Sequence, residues 1–283
     1  HKKMYRGLGF FYIITLFPFI IYNDLFFNIF DLFLIAVSVI IGFWDDKKSL
    51  KQLFKLKILL FTGAVYTLVL QDFSSINSFI STDLILYPIY FIFMVLFFNQ
   101  IDGINGLAGI TFLVTLFLFS FFLDNMLFLT PIIAVIIAYL SLNLRGVLGI
   151  QGEAGSFFMG SVIFVLSLKI NFPFHTTFSF IFLLPILIDI SATTIVRFYL
   201  KKNIFEGHRS NLYQKLVAKH QRPAFVSLSF GILQIITGLL IIFLFKNTAT
   251  VFVFIILLMF ITLLTLTFLK IAFLINTKKF LNY

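Results

Sequence analysis

The chain has 283 residues, of which 61% are hydrophobic and only 11% are charged. Soluble domains carry about 25% charged residues, so this chain has too few polar side chains to cover a water-facing surface. Together with a mean hydropathy of +1.10, this predicts a membrane protein. The absence of cysteine excludes disulfides, thiolate nucleophiles and cysteine-based metal sites. The net charge of +10 is explained by membrane-protein loops and does not indicate nucleic-acid binding.

Ten apolar runs approach the length of about 20 residues that a membrane span needs. We predict that all of them are helical, because lipid offers backbone groups no other hydrogen-bond partner. In chain order they cover residues 8–22, 25–44, 54–70, 84–98, 106–123, 126–143, 156–170, 177–198, 224–245 and 250–272. The predicted fold is an all-α polytopic membrane protein with about ten transmembrane helices, in a single domain over residues 1–283. Because the chain starts at His1, we expect that an N-terminal span is missing.

Basic residues divide unevenly between the loops on the two sides of these predicted spans. Of the 21 Lys and Arg residues, only Lys169 and Lys246 fall on one side, and the other 19 fall on the opposite side. Because Lys and Arg collect in cytoplasmic loops, the more basic set and both termini are predicted to be cytoplasmic.

Four polar segments stand out, and all of them lie at predicted cytoplasmic ends of apolar runs. They cover residues 42–55, 99–109, 152–156 and 199–223. The first three carry acids and amides, namely Asp45, Asp46, Asn99, Asp102, Asn105 and Glu153. Such hard oxygen ligands suit Mg²⁺, which binds one or two carboxylates together with substrate phosphates. The fourth supplies His208 and Arg209, which suit phosphate or sugar oxygens, so together the segments predict a phosphoryl-transfer site.

Each segment also has an ordinary structural explanation. Paired aspartates at a helix end are usually a solvated cap, glycine-rich turns between spans are common, and basic loops often contact lipid headgroups. All four segments lie on one predicted side of the membrane, and this favours a phosphoryl-transfer site over the separate structural explanations. Asp189, which follows Pro185 within a predicted span, is a separate candidate, because intramembrane acids are often functional. It is either a proton relay of a secondary transporter or a buried structural hydrogen-bond acceptor.

At these residues the sequence resembles the polyprenyl-phosphate N-acetylhexosamine-1-phosphate transferase family, which includes phospho-MurNAc-pentapeptide translocase. The matching motifs are an Asp-Asp pair, Asn-x-x-Asp-Gly-x-Asn-Gly-Leu-Ala, Gly-Glu-x-Gly-Ser and a His-Arg loop. The resemblance implies that Asp45, Asp46 and Asp102 are catalytic, and that the first two face the lipid phosphate. It also implies that Asn99 and Glu153 are ligands of Mg²⁺, with Mn²⁺ as an alternative.

The resemblance further implies four substrate-binding residues. Lys55 would contact the diphosphate, Asn105 the uracil, and His208 and Arg209 the diphosphate and sugar. The sequence departs from the family where Glu153 replaces the usual Asp. It also lacks the triple-histidine motif of the peptidoglycan translocase, which ranks that substrate lower.

The implied reaction transfers a hexosamine-1-phosphate from a UDP-N-acetylhexosamine to undecaprenyl or another polyprenyl phosphate, and it releases UMP. Such a reaction initiates cell-surface polysaccharides such as the O-antigen of lipopolysaccharide. The implied location is the bacterial cytoplasmic membrane, with cytoplasmic catalytic loops and a homodimer as one option. The alternatives are the peptidoglycan translocase, a secondary transporter using Asp189, and a lipid-binding scaffold without activity.

Overall fold

A computed structural model describes residues 12, 27–70, 83–123, 129–146, 151–170, 176–201, 210–220, 222–247 and 261. In these residues the regular structure is entirely helical. The α-helices are α1 (Ile29–Lys47), α2 (Gln52–Leu70), α3 (Asp83–Ile101), α4 (Leu107–Phe119), α5 (Thr130–Asn143), α6 (Gly152–Lys169), α7 (Leu184–Tyr199), α8 (Leu212–His220) and α9 (Pro223–Asn247), and 3₁₀ helices cover Ser120–Phe122 and Thr176–Leu183. The chain forms two compact units, residues 1–179 and 180–283.

Five helical segments of the described chain are long and apolar enough to cross a membrane. They are Gln52–Leu70, Asp83–Ile101, Gly152–Lys169, Ser179–Tyr199 and Pro223–Leu244. α1 is of similar length but carries Asp31, Asp45 and Asp46. These features confirm an all-helical fold of the polytopic membrane type for the described residues. The count of about ten spans is not confirmed, because the runs predicted at 8–22 and 250–272 lie almost wholly outside those residues.

α6 is the central helix of the first unit, since 83% of its residues are buried, against 33% in α2. α1 and α3 pack along α6, and glycines allow close backbone approach. A β-carbon on Gly42 of α1 would lie 2.6 Å from the Glu153 carbonyl, and one on Gly160 of α6 would lie 2.6 Å from the Met94 carbonyl oxygen. Small residues serve this purpose in many membrane helix pairs. The two glycines therefore set how closely α1 and α3 approach α6.

The last turn of α6 carries a buried ion pair. Lys169 Nζ lies 2.8 Å from Asp31 Oδ2 of α1, and the Tyr66 hydroxyl of α2 donates to Asp31 Oδ1 at 2.5 Å. Asp31 also completes a capping box with Asn28 at the start of α1. Because a buried charge is tolerated only when it is paired and hydrogen-bonded, these contacts tie α1, α2 and α6 together at this end.

Three helices, α7, α8 and α9, make up most of the described part of the second unit. Pro185 lies in the first turn of α7, where proline leaves no helical hydrogen bond unmade. α8 has nine residues. Its Tyr213 side chain is fully buried and meets the ring of Phe230 in α9 edge to face, with the ring centroids 6.4 Å apart.

Candidate active site

The first turn of α6 is held by a carboxylate from the end of α1. Gly152 has a φ of 80°, which glycine adopts readily, and a side chain there would overlap the Asp46 carboxylate. Asp46 accepts the backbone N–H groups of Glu153 at 3.0 Å and of Ala154 at 3.1 Å. These N–H groups have no partner within the helix, and a carboxylate is favoured at this end of the helix dipole. Asp46 therefore fixes the position of Glu153.

Lys55 joins two further carboxylates at the same place. Its ammonium group lies 3.1 Å from Asp45 Oδ2 and 2.9 Å from Glu153 Oε2, and the residue is only 5% exposed. Asp45 also accepts the backbone N–H of Leu50 at 2.6 Å, which fixes the turn between α1 and α2. Adjacent helical residues point about 100° apart, and Asp45 and Asp46 accordingly have different partners.

The end of α3 reaches the same turn of α6 through Ser156. The Ser156 hydroxyl lies 3.2 Å from Asn99 Oδ1 and 3.1 Å from the carbonyl oxygen of Glu153. Because a hydroxyl carries one proton, it donates to one of these oxygens at a time. Ser156 therefore contacts the side chain of Asn99 and the backbone of Glu153, the two residues predicted to be metal ligands.

Asp102 lies in the turn after α3. Desolvation of its carboxyl group and the nearby charge of Asp46 raise the pKa of Asp102 well above its ordinary value, whereas a hydrogen bond with Gln151 acts in the opposite direction. Asp102 therefore keeps its proton to a higher pH than an ordinary aspartate, which suits proton transfer.

Three residues near Asp102 were not predicted. Gln151 is fully buried and accepts the Tyr12 hydroxyl at 3.3 Å. The rings of Tyr12 and Tyr139 meet edge to face, with centroids 5.8 Å apart. Gln151 directly precedes the Gly-Glu-Ala-Gly-Ser motif, which was a usable signal. No local pattern distinguishes the two tyrosines from the many other aromatic residues of the chain.

The remaining predicted substrate-binding residues are described only in part. Asn105 is half-buried in the turn between α3 and α4, where Gly106 has a φ of 86°. Gly146 lies beside it, since a β-carbon there would be 3.9 Å from Asn105 Nδ2. His208 and Arg209 lie outside the described residues, and their roles stay predictions.

The chemistry of these side chains suits a divalent cation. Asp45 and Glu153 bring two carboxyl groups to the Lys55 ammonium. Asp46 lies at the backbone of the same turn of α6, and Asp102 is close enough to Asp46 to sense its charge. The position of that ammonium also shows that one cation can lie beside both Asp45 and Glu153. Within the described residues, no three His, Cys, Asp or Glu side chains form a ready metal site. Mg²⁺ requires only one or two carboxylates when substrate phosphates and waters complete its coordination, so the donors fit.

The fold and the site together define an integral membrane protein with a carboxylate-rich centre at the ends of its helices. The family described as glycosyl transferase family 4 matches residues 28–171, and the chain belongs to this family. It is therefore a membrane glycosyltransferase of the class that transfers phospho-sugars to polyprenyl phosphate, in agreement with the resemblance of its motifs. No curated protein matches the chain.

Proposed function

We propose that the protein transfers an N-acetylhexosamine-1-phosphate from a UDP-sugar to polyprenyl phosphate at the cytoplasmic face of a bacterial membrane. The products are UMP and a polyprenyl-diphosphate sugar, the first intermediate of a cell-surface polysaccharide. The observation that supports this most is the contact of Lys55 with Asp45 and Glu153, where the ends of α1, α2 and α6 meet. All three residues lie in the segment that matches the family.

In the proposed reaction an oxygen of the lipid phosphate attacks the sugar-bearing phosphorus in line. A new P–O bond forms while the bond to UMP breaks. Such reactions depend mainly on positioning and charge stabilisation. The lipid phosphate is largely ionised at neutral pH, so it needs no strong base. The raised pKa of Asp102 makes its ionised form a stronger base than an ordinary carboxylate, so that form is suited to take up any remaining proton of the phosphate.

Mg²⁺ is the proposed cofactor, with Asn99 and Glu153 as its ligands and Asp45 close by. When bound, the ion would offset charge on the diphosphate and on the departing UMP. In the described structure Glu153 is engaged with Lys55. If Glu153 held the ion, the Lys55 ammonium would be available to the diphosphate, which is the role that the family resemblance implies.

Aromatic side chains beside this centre support a lipid acceptor. Trp44 and Phe54 are 50% and 45% exposed, and their rings meet edge to face with centroids 6.3 Å apart. They directly neighbour Asp45 and Lys55 in the sequence. Tryptophan concentrates where membrane meets water, which is where the phosphate of a polyprenyl lipid lies, and Trp44 fits such a position.

The experiment that tests the proposal uses purified protein, undecaprenyl phosphate, Mg²⁺ and a panel of UDP-sugars that includes UDP-MurNAc-pentapeptide. UMP release and a new lipid-linked product are measured for each donor. We expect one or a few UDP-N-acetylhexosamines to react. Product from UDP-MurNAc-pentapeptide alone would establish the translocase instead. Uptake of a solute into proteoliposomes without UMP formation would establish a transporter.

A matched pair of lysine variants tests the site itself. Lys55→Gln should lower the transfer rate by about 100-fold, the effect typical of losing one preorganised donor at a phosphoryl or oxyanion centre. Lys57→Gln serves as the control, because Lys57 is exposed and lies in the same helix. Equal rates for the two variants would remove Lys55 from the reaction.

A further inference from the structure

The side chain of Gln151 lies in a space that Gly155 leaves open. Gln151 directly precedes α6 and is fully buried. A β-carbon on Gly155 would lie 2.8 Å from the Cβ of Gln151 and 2.9 Å from its Cγ, so a larger residue at position 155 would push the glutamine away. Burying an amide group costs free energy unless the group is hydrogen-bonded. The position of this glutamine therefore depends on the partners of its amide.

Both ends of the Gln151 amide have partners. Its Oε1 accepts the Tyr12 hydroxyl at 3.3 Å, and its Nε2 lies 3.6 Å from Met159 Sδ. The amide also hydrogen-bonds to Asp102, and the backbone of Gln151 hydrogen-bonds to the Tyr139 hydroxyl. Because the amide oxygen accepts from Tyr12, the NH₂ group is left for Asp102, and an NH₂ group can only donate.

The direction of this donor matters for Asp102. Burial of the Asp102 carboxyl group and the charge of Asp46 both oppose its ionisation, and the hydrogen bond from Gln151 favours it. We propose that Gln151 is a positioning residue for Asp102, held by Tyr12 and Gly155 so that its amide donates to the carboxyl group. The inference rests on the proposed function, in which Asp102 takes up a proton of the lipid phosphate. A reacting side chain keeps its geometry when a fixed neighbour orients it.

Gln151→Met tests the amide, because methionine fills a similar volume without a donor. The loss of a hydrogen bond to a charged group typically changes an equilibrium by about tenfold or more. We therefore expect kcat to fall about tenfold, with the KM values for UDP-sugar and polyprenyl phosphate near those of wild type. In Asp102→Asn protein the same substitution should lower the residual kcat little further, because Gln151 acts through Asp102. Ser161→Ala is the matched control, since Ser161 is buried and donates within α6 to the Phe157 carbonyl, and it should retain wild-type constants.

Two further variants disturb the amide while leaving both Gln151 and Asp102 unchanged. In Gly155→Ala the new β-carbon would displace the glutamine side chain. Tyr12→Phe keeps the ring that meets Tyr139 but removes the hydroxyl that fixes the amide. Each should lower kcat in the same direction as Gln151→Met, and Tyr12→Phe should do so least, because it leaves the donor itself in place. These variants also cover the case in which Gln151→Met does not fold.

Thermal midpoints in detergent and EDTA test the contact without any activity. Substitutions at touching residues are non-additive, whereas those at separate residues add. The midpoint shift of the Gln151→Met/Asp102→Asn protein should therefore differ from the sum of the two single shifts, and that of Ser161→Ala/Asp102→Asn should equal the sum. Additive shifts for the first pair, an unchanged kcat in folded Gln151→Met or Gly155→Ala, or an equal loss of kcat from Gln151→Met with and without Asp102 overturns the inference. If no UDP-sugar reacts with the wild-type protein, the proposed function fails, and the midpoints still decide whether Gln151 holds Asp102.

Discussion

Asp102 and Asp46 place two carboxyl groups close together, and this has a consequence for stability. The pKa of Asp102 is raised in the folded protein. At pH values between the ordinary and the raised pKa, the folded state therefore keeps a proton that the unfolded state has lost. Stability therefore falls as pH rises through that window. Asp102→Asn removes the titration, so it should have a higher thermal midpoint than wild type at pH 8 in EDTA, although it should transfer sugar poorly.

The difference between these midpoints should shrink as the pH is lowered toward 4, because wild-type Asp102 is then protonated too. Midpoints in detergent, measured at several pH values, provide this comparison, and the low-pH samples act as the internal control. A constant difference at every pH would show that the substitution acts through packing and not through charge.

Side-chain direction in α1 shows how much of the site could be predicted residue by residue. The 100° step between neighbours accounts for the different partners of Asp45 and Asp46. Their partners could not be predicted, because the contact between Asp46 and the backbone of α6 exists only where Gly42 lets the two helices approach. Sequence spacing places carboxylates at helix ends, whereas tertiary packing decides which groups they meet.

At the scale of single elements, helix ends were predicted least well. The apolar run at 25–44 stops before the aspartates, yet α1 continues to Lys47, and α6 begins at Gly152, ahead of the run at 156–170. In both places polar residues continue the helix because their groups find partners in another helix, as Asp46 does with the first turn of α6. A hydropathy criterion cannot detect such pairing, so it ends each helix where the charges begin.

The packing of α3 on α6 gives a prediction about an element. Gly160→Ala would place a carbon 2.6 Å from backbone atoms of Met94 and Val95, so α3 must move away. Overpacking of this kind costs about 1–3 kcal/mol, and it should also lower the transfer rate, because α3 carries Asn99. Unfolding midpoints and transfer rates provide the measurement.

Gly63→Ala is the control for this substitution, since its nearest neighbour is the side chain of Phe91 at 3.0 Å. A ring can shift more easily than a backbone, so we expect a smaller loss of stability and a transfer rate near that of wild type. If Gly63→Ala were the more damaging change, close packing of α3 on α6 would not be what holds Asn99 in place.

At the scale of the whole molecule, composition was enough to predict a membrane protein, because so few charged residues cannot cover a water-facing surface. The number of spans could not be predicted as reliably. α4 and α5 have 13 and 14 residues, which at 1.5 Å per residue is about 20 Å, less than the roughly 30 Å of a bilayer core. Apolar runs therefore identify membrane helices without showing which of them cross completely.

Orientation in the membrane is the last property that the chain makes testable. Ser49 lies between α1 and α2 and Thr130 at the start of α5, and both are exposed. If every predicted span between them crosses the membrane, the two residues lie on opposite faces. With no native cysteine, Ser49→Cys should react with an impermeant thiol reagent only in inverted vesicles, and Thr130→Cys only in intact cells. Labelling of both proteins in detergent is the control, because it shows that each introduced thiol can react with the reagent. Because a charged nucleotide does not cross lipid unaided, reaction of the Ser49→Cys protein from outside would separate the site from cytoplasmic UDP-sugar and refute the proposed reaction.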